Sequence, residues 1–77
     1  MIHLHYFAGI KEVAGKAEED IDWVDGTAAD VLKWAKKSYP SFDFSSVQIA
    51  INEEYVLETE PVKPGDHVAF IPPVSGG

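Results

Sequence analysis

One stretch of this chain carries an apolar stripe long enough for a substantial helix, and segments alternating with a period of two lie on both sides of it. Ala28, Val31, Leu32, Ala35 and Tyr39 follow the i, i+3, i+4, i+7, i+11 spacing of a single helix face. Lys33, Lys36 and Lys37 fall toward the opposite side, two of them near the C-terminal end, where cations are favoured. Thr27 with Asp30 three residues on makes a capping-box-like start, and Pro40 stops the run. A helix over 27–39 is predicted. A lone amphipathic helix cannot bury its stripe by itself, so the alternating segments must supply the surface it packs on.

Those segments read as strands. In residues 2–7, Ile2, Leu4 and Tyr6 alternate with His3, His5 and Phe7. Ile21 and Trp23 alternate with Asp20 and Asp22, giving a second strand with one wet face, broken at Asp25-Gly26. Val47, Ile49 and Ile51 alternate with Gln48, Ala50 and Asn52. Asn52-Glu53-Glu54 is a turn before a short fourth strand, Tyr55-Val56-Leu57. Lys63-Pro64-Gly65-Asp66 has Pro and Gly where a type II turn needs them. The last strand is His67–Ile71, with Val68 and Phe70 pointing one way and Ala69 and Ile71 the other. Between the first two strands, 9–15 reads as a short helix with Ile10, Val13 and Ala14 on one face and Gly15 at its end. The whole is an α+β layer, a mixed twisted sheet with one main helix across it.

At 77 residues the chain is read as a single domain over 1–77. A domain this small buries only roughly 60% of its unfolded surface, so its core is thin. It has no cysteine, which excludes disulfides, thiolate metal sites and a thiol nucleophile, and suits a reducing, cytoplasmic compartment. No basic segment followed by an apolar one marks a secretory signal at the start, and no apolar run approaches the ~20 residues of a membrane span. The net charge of −7 repels phosphate backbones and anionic lipid, so neither nucleic acid nor membrane is expected as a partner. The acidity either keeps a small domain soluble or steers it to a protein with a basic face.

The usual catalytic signatures are missing. Gly9 to Lys16 lacks phosphate-loop spacing, and Ala17 stands where a magnesium-binding hydroxyl would be. His3 and His5 share a strand face but have no third ligand in sequence reach, so no metal site is expected. Glu53 and Glu54 are adjacent and diverge, and no Ser is set with His and Asp. There remains the end of the chain, Phe70-Ile71-Pro72-Pro73-Val74-Ser75-Gly76-Gly77. Two prolines cannot donate to a sheet ladder, so the strand must stop at Ile71, and they favour an extended conformation for the residues beyond them. Val74 to Gly77 reach about 13–14 Å if extended. Gly76 and Gly77 carry no side chain, so such a tail, counted over 72–77, fits a channel too narrow for a β-carbon.

On these residues the chain resembles the small-subunit family of molybdopterin synthase (the MoaD family), which has the ubiquitin-like β-grasp fold; that resemblance implies that the first and last strands, 2–7 and 67–71, lie side by side and parallel. The likeness covers essentially the whole length. It rests on Tyr6-Phe7-Ala8-Gly9-Ile10-Lys11-Glu12-Val13-Ala14-Gly15, on Ile51-Asn52-Glu53-Glu54, and on the run from Pro64-Gly65-Asp66 through Phe70 to Gly77. Lys11 stands where arginine is frequent. The resemblance implies a sulfur carrier in molybdenum cofactor biosynthesis. An E1-like enzyme would use ATP to adenylate the Gly77 carboxylate, and sulfur would replace AMP to leave a thiocarboxylate. Residues Pro72, Pro73, Val74, Ser75, Gly76 and Gly77 would enter the large subunit of a heterotetrameric synthase. There the sulfur would attack a cyclic pyranopterin monophosphate on the way to a dithiolene. The chain would bind no cofactor and would not be an enzyme by itself, the catalytic groups belonging to the large subunit. Phe70 and Lys11 are expected as partner contacts, Phe70 within an apolar patch rimmed by acids. A thiamine-pathway sulfur carrier, a ubiquitin-like protein modifier and an interaction module with an inert tail stand as alternatives; Pro72-Pro73-Val74 favours the molybdopterin branch.

Overall fold

The structure, a computed structural model, describes residues 1–72. The elements in chain order are β1 (Ile2–Tyr6), α1 (Ala8–Ala14), β2 (Glu18–Ile21), α2 (Ala28–Ser38), β3 (Gln48–Ile51), β4 (Glu54–Val56) and β5 (His67–Ile71). The strands form one sheet in the order β2-β1-β5-β3-β4. The two chain-distal strands, β1 and β5, sit side by side and parallel at its centre, with Leu4 opposite Val68 and Tyr6 opposite Phe70. All other pairings are antiparallel. This is the β-grasp arrangement.

Capping residues set where α2 begins. Thr27 Oγ1 accepts the Asp30 N–H at 3.4 Å, and Asp30 Oδ2 accepts the Thr27 N–H at 2.9 Å, a complete capping box. The next two N–H groups, of Ala28 and Ala29, would have no partner within the helix. They donate to the Glu60 and Glu58 carbonyls at 2.8 and 2.9 Å, which fastens the 57–61 loop to the helix start. Tyr39, at the other end, donates its N–H to Ala35 O at 2.8 Å just before Pro40. Gly15 ends α1 with φ 74°, in the left-handed region that a glycine adopts without strain.

The predicted stripe faces the sheet. Ala28, Val31, Leu32 and Ala35 join Ile2, Leu4, Tyr6, Ile49, Ile51, Val68 and Phe70 in one buried cluster, closed at its ends by Ile10, Phe44 and Val62. Each large side chain buried here contributes about 1.5–3 kcal/mol. Aromatic edges and faces organise one end: Tyr6 stacks on Phe70 at 6.0 Å, and Phe44 meets Phe70 edge-on at 5.9 Å.

Several details depart from the sequence expectation. Val13 is exposed, because α1 is short and only Ile10 reaches the core. The second strand ends at Ile21. Trp23 lies beyond it, its Nε1–H donating to Val62 O at 3.0 Å, so a side-chain bond to a loop replaces ladder pairing. The fourth strand starts one residue early, at Glu54, since the β3–β4 loop is only Asn52-Glu53. Gly65 has φ 93° and the Asp66 N–H donates to Lys63 O at 3.0 Å, as the predicted type II turn requires.

Candidate functional site

Strand alternation gives the sheet two unlike faces. One is filled by α2 and the core. The other carries His3, His5, His67, Ala69, Ile71, Ala50 and Tyr55, with Phe7 just past the end of β1, and no helix among the described residues packs on it. A shallow depression of about 630 Å³ lies on this open face, walled by Phe7, Tyr55, Ile71, Ala69, His5 and His67. Phe7 is 48% exposed and Tyr55 67%, so two large aromatic surfaces stand in water without a partner. An apolar patch with a polar rim marks an interaction surface. The rim comes from Asn52 and Glu53, which also line the depression, and from Glu18 and Asp20, which pair in register with His5 and His3.

Phe70, expected as a partner contact, is not on this surface. Its side chain is fully buried, because Val68 and Phe70 point to the helix side of β5. The apolar side chains on the open face come instead from the alternate set, Ala69 and Ile71, with Phe7 and Tyr55. Lys11 is exposed in the last turn of α1. Of the tail residues, Pro72 is described and half-buried, directly after Ile71 at the edge of the depression. Pro73, Val74, Ser75, Gly76 and Gly77 lie outside the described residues.

The turn before β5 is fixed by one carboxylate. Asp66 Oδ2 accepts the Lys63 N–H at 2.9 Å and Oδ1 accepts the Asn52 amide at 3.1 Å, while Asn52 Oδ1 accepts the His67 N–H at 3.0 Å. The Lys63 backbone bond, then the Asn52 amide, hold the Asp66 carboxyl below the usual range. This ties the 63–66 turn to the β3–β4 loop and sets the start of the strand that leads to the tail.

His67 completes a cluster that only the parallel pairing reveals. His5 Nε2 and His67 Nδ1 share a hydrogen bond at 3.0 Å, His3 stacks on His67 at 4.7 Å between ring centroids, and His3 Nδ1 bonds Asp20 Oδ1 at 2.7 Å. Among the described residues, no group of three or more His, Asp or Glu is arranged to hold a metal ion. None of their helices is long and apolar enough to cross a membrane. The sequence carried part of this signal, since His3 and His5 share a face by parity. Their meeting with His67 needed the β1–β5 register.

Comparison with known proteins places this geometry in context. The ThiS family pattern matches residues 4–77. The molybdopterin synthase sulfur carrier subunit of Chlamydomonas reinhardtii is 40% identical, over 99% of this chain and 98% of that protein. The protein of the same name from Dictyostelium discoideum is 36% identical, over 92% of this chain and 90% of its own. Among solved structures, a putative molybdopterin converting factor subunit 1 from Pyrococcus furiosus superposes with a TM-score of 0.83 at 32% identity, covering 95% of this chain and 97% of that one.

Proposed function

The chain belongs to the ThiS family, and from that premise we propose that it is the sulfur-carrying small subunit of molybdopterin synthase. The observation that carries this reading is the near full-length identity to a protein named for that role, 40% over 99% of the chain. The family alone leaves the acceptor open, and the relatives' shared name favours the molybdopterin branch over a thiamine-pathway carrier.

In this reading the reacting atom is the Gly77 carboxyl carbon. A free α-carboxyl group has a pKa of about 3.3–3.7, so near neutrality it is an anion and a poor electrophile. An E1-like enzyme supplies the missing reactivity: a carboxylate oxygen attacks the α-phosphorus of ATP, and pyrophosphate leaves. A sulfide-level nucleophile then displaces AMP to give the thiocarboxylate. In the large subunit the thiocarboxylate sulfur bonds to a carbon of the pterin precursor as an oxygen substituent of that carbon leaves with its electron pair, and water cleaves the resulting thioester, so that carboxylate is regenerated. This chain contributes the carried atom and a docking surface. The acids, bases and charge-stabilising groups are those of the two partners, and the cytoplasm is where we place the cycle.

The open face gives that docking a physical basis. Strand β5 runs across it and delivers Pro72 at its edge, so a partner that receives the tail meets Ile71, Phe7 and Tyr55 at the same time. Covering these side chains removes apolar area from water, and the acidic rim steers a basic partner to them. The experiment is dithiolene formation in vitro with the activating enzyme, ATP, a sulfur donor and the large subunit. The chain lacking Gly77 is expected to give no product. Because the cluster formed by the described residues already includes both sheet and helix without Gly77, the shortened chain's thermal stability is expected to stay within about 0.5 kcal/mol of the intact chain. Wild-type turnover by the shortened chain would overturn the reading.

A further inference from the structure

Resting on the docking reading above, we propose that the His5–His67 pair makes docking on the open face proton-sensitive: the face accepts the large subunit's apolar surface while the pair is neutral and releases it as the pair takes up protons.

The geometry distinguishes this pair from an ordinary surface histidine. His5 Nε2 and His67 Nδ1 lie 3.0 Å apart, a bond that needs one nitrogen bearing hydrogen and the other a lone pair. Two neutral rings meet that need. A first proton, taken on an outward nitrogen, keeps the bond but leaves a positive ring at the wall of the depression. A second proton puts hydrogen on both facing nitrogens, abolishes the bond and sets two like charges in near-parallel rings whose centroids are 5.2 Å apart. The pair therefore accepts protons only by charging, and then by opening, the surface that the partner must cover.

The neighbouring charges do not cancel this. From β2, Asp20 is committed to His3 at 2.7 Å, so His3 brings its own counter-charge. Glu18, also on β2, is in register with His5, but among the described residues no carboxylate oxygen comes within 4 Å of a nitrogen of either His5 or His67. Asp66, which precedes His67, is held by the Lys63 N–H and Asn52, and Lys63 adds a positive charge on that turn. Glu53 stands on the rim from the β3–β4 loop. None of these acids touches the pair, so none neutralises its charge by contact once a partner excludes the water. A buried charge without such a partner is costly, so association must expel the proton. Added positive charge also weakens steering toward a basic partner, which acts in the same direction.

Imidazole as a side-chain type changes charge between about pH 5 and 8, which sets the two conditions of the test. The test is titration calorimetry of the intact chain with the molybdopterin synthase large subunit at pH 7.5 and pH 5.5. For release of one proton, Kd is expected to rise about tenfold from the higher to the lower pH. In the His5→Gln/His67→Gln double variant the ratio of the two Kd values is expected to collapse to within about twofold, whatever its affinity at pH 7.5. In parallel, imidazole NMR of the wild type, free and bound, is expected to show both rings staying neutral to a lower pH in the complex, a result that needs no variant to fold. Equal Kd values at the two pH values, or unchanged imidazole titration on binding, overturn the inference and leave the sulfur-carrier reading standing. Absence of binding at both pH values overturns the docking reading and this inference together.

Discussion

The Tyr6 hydroxyl donates to Glu19 Oε1 at 2.6 Å, which joins the central strand β1 to the edge strand β2 through side chains as well as through the ladder. Tyr39, the C-cap of α2, donates to the same oxygen at 2.7 Å, and Lys16 reaches Oε2 at 3.3 Å. One carboxylate thus gathers a strand, an edge and the end of the helix. Burial opposes its ionisation, but the bonds from Tyr6, Tyr39 and Lys16 outweigh that and hold the Glu19 carboxyl below its ordinary value. Burial first, and the bond to Glu19 second, push both phenols up.

Glu19→Gln is expected to cost about 1.5–3 kcal/mol, because a charged acceptor shared by two hydroxyls is replaced by a neutral amide. The pH dependence has a definite sign. A carboxyl with a lowered folded pKa stabilises fully above its unfolded value, here 4.5, and loses that contribution as pH falls through the folded value. Phenols with raised folded pKa values stabilise below the unfolded value, here 10.0, and lose that contribution as pH rises. Thermal melts from pH 7 downward should therefore show a steeper acid loss in the wild type than in Glu19→Gln. Parallel acid limbs in the two proteins would contradict this role.

Glu53 occupies the second position of a two-residue hairpin loop with φ 72°, after Asn52 at φ 50°. Positive φ at both positions marks a type I′ turn, which favours Asn and then Gly. Glu53→Gly is expected to raise stability by about 0.5–1 kcal/mol, the left-handed strain of a side chain less the entropy cost of glycine. A denaturant midpoint at or below that of the wild type would show that Glu53 makes a compensating contact.

Phe70 and Phe7 separate folding from docking. Phe70→Ala empties a fully buried site that stacks on Tyr6, and is expected to cost about 3–5 kcal/mol. Phe7→Ala and Tyr55→Ala act on exposed rings, so their stability should stay within about 0.5 kcal/mol of the wild type. Each should nevertheless weaken large-subunit binding by more than about 1 kcal/mol if it sits at the centre of the interface. Calorimetric binding together with melts checks both halves. Undiminished affinity in the Phe7 and Tyr55 variants would move the docking surface off the open face.

Much of the fold was legible because local rules and burial agreed. The stripe from Ala28 to Tyr39, the Thr27–Asp30 box and Pro40 all named the same helix, and the structure has it. The parallel β1–β5 pair followed from the family resemblance. Phe70 was misplaced for a physical reason: alternation separates Val68 and Phe70 from Ala69 and Ile71 but does not say which set faces the helix. That choice depends on where Leu4 and Tyr6 point in the neighbouring strand, a relation to Val68 and Phe70 at the far end of the chain that appears only in the register. Trp23 was read as a strand residue because alternation continued to it, whereas its indole N–H found a loop carbonyl. The histidine cluster was half visible, as His3 and His5, and was completed by topology.

The central claim concerns one atom of Gly77, and intact-mass analysis addresses it most directly. The protein is isolated from cells that make molybdenum cofactor, once with the large subunit present and once with it deleted, so that any carried sulfur accumulates in the second. The account predicts a species in which one oxygen is exchanged for sulfur, enriched without the large subunit and localised by fragmentation to Gly77. A chain that stays entirely unsubstituted under both conditions, while the cells that retain the large subunit form the dithiolene, would contradict it.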